Sequence, residues 1–577
     1  MATAEQLITE NLDIWTSVVQ TKSAAGRGSS NKLELYGIKK LRELILELAV
    51  RGLLVPQDPK EGSALELVDK IAEARSELIK AKGIKEPRRW KEAAEEEKAP
   101  LTLPGQWVEM ANSQLFFFRK GKKPKNISDV DIGQPYLDIE ALDRHNILRF
   151  TDDTRCPTCT EEDILVVCDG SRSGLVLQGK NGVIGSTLAV IETPQFVQPY
   201  VRLIFQQAFQ RLNSTMKGAA IPHLDTKTLL SETIGLPPFQ EQARIVAKVD
   251  ELMALCDQLE QQQEASITAH QTLVQTLLDA LTSASERDGF EAAWKRIAEH
   301  FDTLFTTEWS IDQLKQCILQ LAVMGKLVPQ DPNDEPASVL LKKIADEKAK
   351  LVKEGKIKKQ KPSPPVDEDE EPFDLPSSWE WVRIGEASIL TDYGLSDKAS
   401  PAGEGVPVLA MGHIQSGRVV LGGQKVVPDT VDSLPELYLE NRDLLYNRTN
   451  SVELVGKTGI YLGNDNEYTF ASYLIRIKTI KSALLPEFIN FNMLTPKFRT
   501  TQIEPHLKQQ CGQANVNGTI MKSMLVAVAP EAEIVRIVAK VDELMSICDS
   551  IKNRINASQV SQLKLADFIT EIRILRE

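Results

Sequence analysis

Five cations fall within eight residues at FRKGKKPK (118–125): Arg119, Lys120, Lys122, Lys123 and Lys125. A cluster of this kind can neutralise backbone phosphates, and Gly121 would let the chain approach one closely. The same composition suits a solvated surface loop. A second polar run, YNRTNSVELVGKTG (446–459), follows the strand-like DLL and offers Asn447, Arg448, Thr449, Asn450 and Lys457. In a DNA major groove, Arg pairs with guanine and Asn with adenine through paired hydrogen bonds. A related run, CDGSRSGLVLQGKNG (168–182), carries Ser171, Arg172, Ser173 and Lys180. These residue types are also ordinary turn formers. GQANVN (512–517) adds Gln513, Asn515 and Asn517, whose amides could meet bases or cap a helix. The corresponding AAIPHLD (219–225) lacks the amides.

Catalytic chemistry finds less support. CPTC (156–159) has the spacing of half a zinc site, but Cys168 and His145 are the only nearby ligand types and structural zinc takes four. VGKTG (455–459) evokes a phosphate loop, yet Ser451 stands where that loop needs its first glycine. LPPF (236–239) lacks the Asn or Asp that amino-methyltransferases place before Pro-Pro. No spacing suggests a His-centred triad. The chain is expected to bind no metal or cofactor itself and to have no catalytic residue.

Bulk properties set the frame. The 577 residues are 42% hydrophobic and 26% charged, as in a globular protein of several domains. No apolar run approaches the roughly 18 residues that span a bilayer. MATAEQLITENLDIW has no basic start leading into an apolar stretch, and seven cysteines fit reduced thiols, so a cytoplasmic location is expected. The net charge of −13 argues against a polyanionic partner on average. Locally it does not, because residues 100–240 and 375–530 each hold 14 Lys+Arg against 15 Asp+Glu.

The elements that must position these residues are duplicated. RIVAKVDELM runs from Arg244 to Met253 and again from Arg536 to Met545. LAVRGLLVPQDP (48–59) returns as LAVMGKLVPQDP (321–332), with ten of twelve positions identical. Each copy leads into a similar helical segment, an acidic linker (KEAAEEEKAP or PPVDEDEEPF), then LPGQW or LPSSW. Each half therefore reads as short helices, linker, a variable tract and a long helix. The repeat is far longer than a solenoid period of about 20–50 residues, so these are duplicated domains. Within the tracts, DILVVC, GVIGSTLAVIE, YLIRIK and MLVAVAP read as buried strands, and 197–212 and 485–500 as amphipathic helices. Each tract is thus an α/β or α+β domain.

The long helices carry heptad seams. Val249, Leu252, Cys256, Leu259, Leu273 and Leu277 form one. Val541, Leu544, Cys548, Ile551, Ile555, Leu565, Ile569 and Ile572 form the other. Gln263, Ser266 and His270, and Ser558 and Gln562, make the middles polar. A helix of some 44 residues is about 66 Å long. One helix can carry the chain to the second variable domain and the other return beside it. An antiparallel pair with a pseudo-twofold axis is expected, although heptads also suit a pair inside an ordinary bundle.

LQLAVMGKLVPQDPNDEPASVLLKKI, LPPFQEQARIVAKVDELM and ENRDLLYNRTNSVELVGKTGI together resemble the DNA-specificity subunits of type I restriction–modification systems. The resemblance covers nearly the whole chain. One departure is PEAEIV in place of PPFQEQ before the second long helix, which bears on the local turn. The resemblance implies an α+β fold of two α/β target-recognition domains in tandem pseudo-twofold repeat, separated by two long antiparallel coiled-coil helices. The expected divisions are a helical region and linker at 1–99, recognition domain one at 100–240 and long helix one at 241–285. They continue with a central helical region and linker at 286–374, recognition domain two at 375–530 and long helix two at 531–577. It also implies double-stranded DNA as ligand and two methyltransferase subunits as partners, with two motor-nuclease restriction subunits in complete systems. S-adenosylmethionine, ATP and Mg would sit on those partners, in the service of phage defence. The other class open at this point is a coiled-coil scaffold without sequence specificity, and a third is an enzyme with a cryptic site.

Overall fold

Contacts divide the chain into two units in the computed structural model: residues 1–267 with 558–577, and residues 268–557. The structure describes residues 4–22, 32–82, 103–131, 133–214, 223–284, 286–359, 363–401, 403–510 and 513–575. The linker KEAAEEEKAP and residues 219–222 lie outside them. Each long helix has 45 residues, Phe239–Ser283 and Glu531–Leu575. The first starts in unit one and ends in unit two; the second does the reverse.

In unit one, the strands Phe117–Lys120, Leu188–Glu192, Ile164–Val167 and Val176–Gln178 form one sheet in that order, every pair antiparallel. A second sheet joins Phe150–Thr151, Gln134–Leu137, Gly182–Ile184 and Thr158–Cys159. In unit two, the order is Leu390–Tyr393, Leu474–Lys478, Leu444–Asn447, Thr458–Ile460, Gly417–Val419 and Ile414–Gln415. The expected strands are all present. So are both amphipathic helices, Gln198–Ser214 and Leu485–Leu494. The second stops short of residue 500 because Pro496 has no amide hydrogen to continue it, and Thr495 caps the turn that follows by accepting from Phe498 N–H at 3.2 Å.

The repeated motifs build the same root under each domain. The helices Tyr36–Val50 and Glu308–Val323 end at Gly52 and Gly325, with φ of 71° and 69°. A Cβ at Gly52 would lie 2.6 Å from Pro104 Cγ, and one at Gly325 2.5 Å from Pro376 Cγ. LAVxG and LPxxW are therefore two faces of one contact, which only glycine allows. Gln57 Nε2 donates to Glu241 at 2.6 Å, and Gln330 Nε2 to Glu533 at 2.5 Å. Trp379 Nε1 completes the second site by donating to Glu533 at 2.9 Å. Burial raises the pKa of both glutamates. Arg244 pairs with Glu61, and Arg536 with Asp334, one turn further along. The PEAEIV departure is thus absorbed. Glu533 takes the place of Glu241, and Ile534 N–H donates to Pro530 O at 3.0 Å as Gln242 N–H does to Pro238 O at 2.9 Å.

The helix seams need correction beyond their polar middles. Leu273 is 51% exposed and Leu565 43%. The buried side chains there are Val274, Leu278 and Leu281 in the first helix and Ala566 in the second. A straight helix drifts from a strict heptad by about 20° per repeat, which moves the inward face by one residue. These ends also pack into the cores of the units, not only along a seam. The side chain of Ile572 lies outside the described residues.

Candidate nucleic-acid interface

The two variable domains share the central strands of their main sheets. Leu188 pairs with Val167 in the first, and Leu474 with Asn447 in the second. Ala189 pairs with Lys120, and Ile475 with Tyr393. Beyond these strands, Leu224 N–H donates to Cys168 O at 2.8 Å and Val516 N–H to Arg448 O at 2.9 Å. An antiparallel bridge joins Asp169 to His223, and a short strand pair joins Thr449 to Asn515. The distant residues 449–450 and 513–515 thus meet in one small sheet, and His223 of AAIPHLD takes the place that matches Asn515. At that strand end, domain one carries Lys120, Asp169 and His223. Domain two carries Tyr393, Thr449 and Asn515, with Arg448 next to them.

In domain one, Lys120, Lys122, Lys123 and Lys125 are exposed. Backbone bonds pin their loop: Gly121 N–H donates to Leu188 O and Lys122 N–H to Ile184 O. Lys125 N–H donates to Asp153, which with Arg155 holds that carboxyl well below its usual range. Gly121 has a different reason from the one its sequence context suggests. A Cβ there would lie 2.2 Å from Gly185 O, so the glycine serves packing against the protein's own backbone. Arg119 is likewise committed inside, with Nε 2.5 Å from the buried Glu192 and a second nitrogen donating to Thr158 O. Arg172 makes a two-bond fork with Asp143, at 2.8 and 2.9 Å, which lowers the pKa of that carboxyl. Ser171 is exposed, Lys180 half-buried, and Ser173 buried with its hydroxyl donating to Gly170 O. Lys120 Nζ lies 3.4 Å from Asp169, whose other oxygen is 2.6 Å from His223 Nδ1.

In domain two, Arg448 lies over the Tyr393 ring, 5.0 Å from its centroid, with Nε donating to Ser472 O at 2.8 Å. Such stacking orients a guanidinium while leaving its outer nitrogens open. Tyr393, Lys457 and Asn515 are exposed; Thr449 and Asn450 are half-buried. Asn450 turns its side-chain oxygen to Ser451 N–H. Asn517 is a helix cap, accepting from Ile520 N–H at 2.9 Å. Asn447 is 1% exposed, in a strand position that Val167 fills in domain one, so its side chain is withheld from the surface. The backbone of Gln513 is in a strand, but its side chain lies outside the described residues. VGKTG runs from the end of a turn into the strand Thr458–Ile460, which pairs with Leu444–Asn447. Asn447 N–H donates to Lys457 O, and Gly456 has φ 87°.

Cys156 and Cys159 sit in different apolar clusters, and burial pushes Cys159 up to about 11. Among the described residues, no three His, Cys, Asp or Glu side chains gather as a metal site. No helix there is long and apolar enough to cross a membrane.

The model of the type I restriction modification DNA specificity domain matches residues 104–269 and 376–558, more than half of the chain. The chain belongs to this family. Each match takes in one variable domain and part of the long helix that follows it. The EcoEI specificity subunit of Escherichia coli is 38% identical, over 98% of this chain and 99% of its own length. The EcoAI specificity subunit of Escherichia coli is also 38% identical, over 99% of each. A chain from a structure of type I restriction–modification complex assembly is similar at 16% identity and a TM-score of 0.45, over 82% of this chain and 98% of that one. The chain is a specificity subunit, and its role is DNA sequence specificity. The expectation of a scaffold without such specificity is set aside.

Proposed function

We propose that each variable domain reads one half of a two-part site in double-stranded DNA. The long helices set the distance between the halves and, with the short repeated helices, dock two methyltransferase subunits. Two restriction subunits join in a complete system. This subunit supplies position and sequence choice. Methyl transfer, with S-adenosylmethionine, and ATP- and Mg-dependent cleavage belong to the partners. A target adenine must leave the base stack to be methylated, so holding the partners in register is itself a contribution to the reaction.

The observation that supports this reading is the pairing of one constant root with two different surfaces. Gly–Gln–Glu geometry is repeated, whereas Lys120, Asp169 and His223 at one strand end become Tyr393, Thr449 and Asn515 at the other. Lys122, Lys123 and Lys125 are assigned to phosphates. Arg448, Asn515, Asn450 and Lys457, and Ser171 and Lys180, are assigned to the DNA-facing side of their domains.

The helices test it. Four residues inserted into both, between 261 and 266 and between 556 and 561, lengthen each by about 6 Å, close to one turn. DNA advances about 3.4 Å per base pair, and the second domain must also follow the groove around the duplex. The spacer in the methylated motif should grow by one base pair, with both half-site sequences unchanged. Methylation persisting at the original spacing would show that the helices do not set the distance.

A further inference from the structure

We infer that His223, oriented by Asp169, is a base-reading residue of the first domain. It would take the exocyclic amino group of an adenine or cytosine in the first half-site. The inference rests on the half-site reading proposed above.

Three observations converge. His223 occupies the register position of Asn515, as the bridge to Asp169 and the Leu224–Cys168 hydrogen bond show. The two domains therefore present a side chain at the same point of the same frame. The imidazole is 56% exposed, so more than half of its surface is open to a ligand. Its Nδ1 is 2.6 Å from the Asp169 carboxylate, which can only accept, so Nδ1 carries the proton. In its neutral form such a ring has Nε2 as an acceptor, and an acceptor in a groove selects an amino group. Lys120, 3.4 Å from the other Asp169 oxygen, balances the carboxylate and places a cation beside the ring. Among the described residues no helix cap or turn bond uses the ring, and the segment's backbone bond to Cys168 is made without it.

Asp169 is a positioning residue here. It fixes the tautomer and the ring plane, as carboxylates do behind other histidines whose second nitrogen must be an acceptor.

The test uses the full subunit assembled with its own modification subunits. Methylated positions are mapped on a plasmid library randomised at each half-site position in turn. His223→Ala should lower discrimination about tenfold at one base pair of one half-site, with the other half-site unchanged. Asp169→Ala should relax the same base pair, and Asp169→Asn, which keeps an acceptor for Nδ1–H, should restore most of it. A merely structural role would not be rescued at a single base pair. Unchanged preference at every position in His223→Ala would overturn the inference. So would equal weakening at all sequences, which would place the ring on a phosphate. Replacing residues 103–236 with a related domain, in the same assay, separates the two levels. If replacement alters one half-site and His223→Ala alters nothing, only the base-reading role falls. If replacement leaves the motif intact, the half-site reading falls with it.

Discussion

The two recognition domains share a register and differ in what they put on it. Domain one ends its paired strands with a charged cluster, Lys120–Asp169–His223, beside a loop bearing Lys122, Lys123 and Lys125. Domain two ends the same strands with an arginine on an aromatic ring and an exposed amide, Arg448, Tyr393 and Asn515. Underneath, the roots repeat residue for residue, from Gly52 and Gly325 to Glu241 and Glu533. Backbone pairing and burial decide where a side chain is displayed. The displayed residue decides whether the contact is chiefly electrostatic or directional. A duplicated frame can therefore hold position constant while each reading surface changes on its own.

The same contrast is present inside the domains. Asp163 and Asp443 close equivalent turns, accepting from Thr160 N–H at 2.8 Å and from Glu440 N–H at 3.0 Å. Asp443 is 1% exposed and its pKa is pushed up to about 6 by burial. A carboxyl raised in the fold stabilises it most below its unfolded value, near 4, and that contribution is lost as pH rises through about 6. The wild type should lose up to about 3 kcal/mol relative to Asp443→Asn across that window, at about 1.4 kcal/mol per unit. Urea unfolding of both proteins from pH 4 to 7 checks this. Parallel stability curves would show that burial does not raise the Asp443 carboxyl.

The lysine loop separates them next. Replacing Lys122, Lys123 and Lys125 together by alanine should weaken binding to all sequences alike, by roughly 10–100-fold. The salt slope should fall by up to about 2.7, at about 0.9 per phosphate. Binding measured across a salt series reads both quantities. An unchanged slope would mean that the loop faces away from DNA.

A smaller effect separates two adjacent residues. Arg448→Ala should relax one base pair of the second half-site at a cost of about 1–3 kcal/mol. Asn447→Val, which copies Val167, should leave base preference unchanged. Relaxed preference in the second variant would bring Asn447 to the surface in the complex and weaken the strand correspondence.

Much of this frame was legible in the sequence, for physical reasons. DILVVC and MLVAVAP announce buried strands because strands covered on both faces carry continuous apolar runs. The repeats announce duplication because identity over ten residues has no local explanation. What identity did not reveal was purpose. The exposed Gln57 and Gln330 meet the buried Glu241 and Glu533 only when the segment after the short helix reaches the start of the long one. Asn447 misled because a polar residue at a strand end looks displayed, and only pairing with Leu474 shows it turned inward. Arg119 misled in the opposite sense, since its partner Glu192 is 73 residues away. Asp169 and His223 are 54 apart, and nothing local distinguishes them from turn residues. The heptad seams were sound near the starts of the helices and failed at Leu273 and Leu565, where the drift of a straight helix from a strict heptad has moved the inward face by one residue.

A domain exchange shows whether the two readers are independent. Residues 103–236 are replaced by the matching domain of a related subunit, with both roots and both long helices kept. Methylated adenines are then mapped genome-wide in a host carrying the hybrid with its modification subunits. A motif with one new half-site, one original half-site and the original spacer is expected. A motif changed in both halves, or in neither, would contradict it.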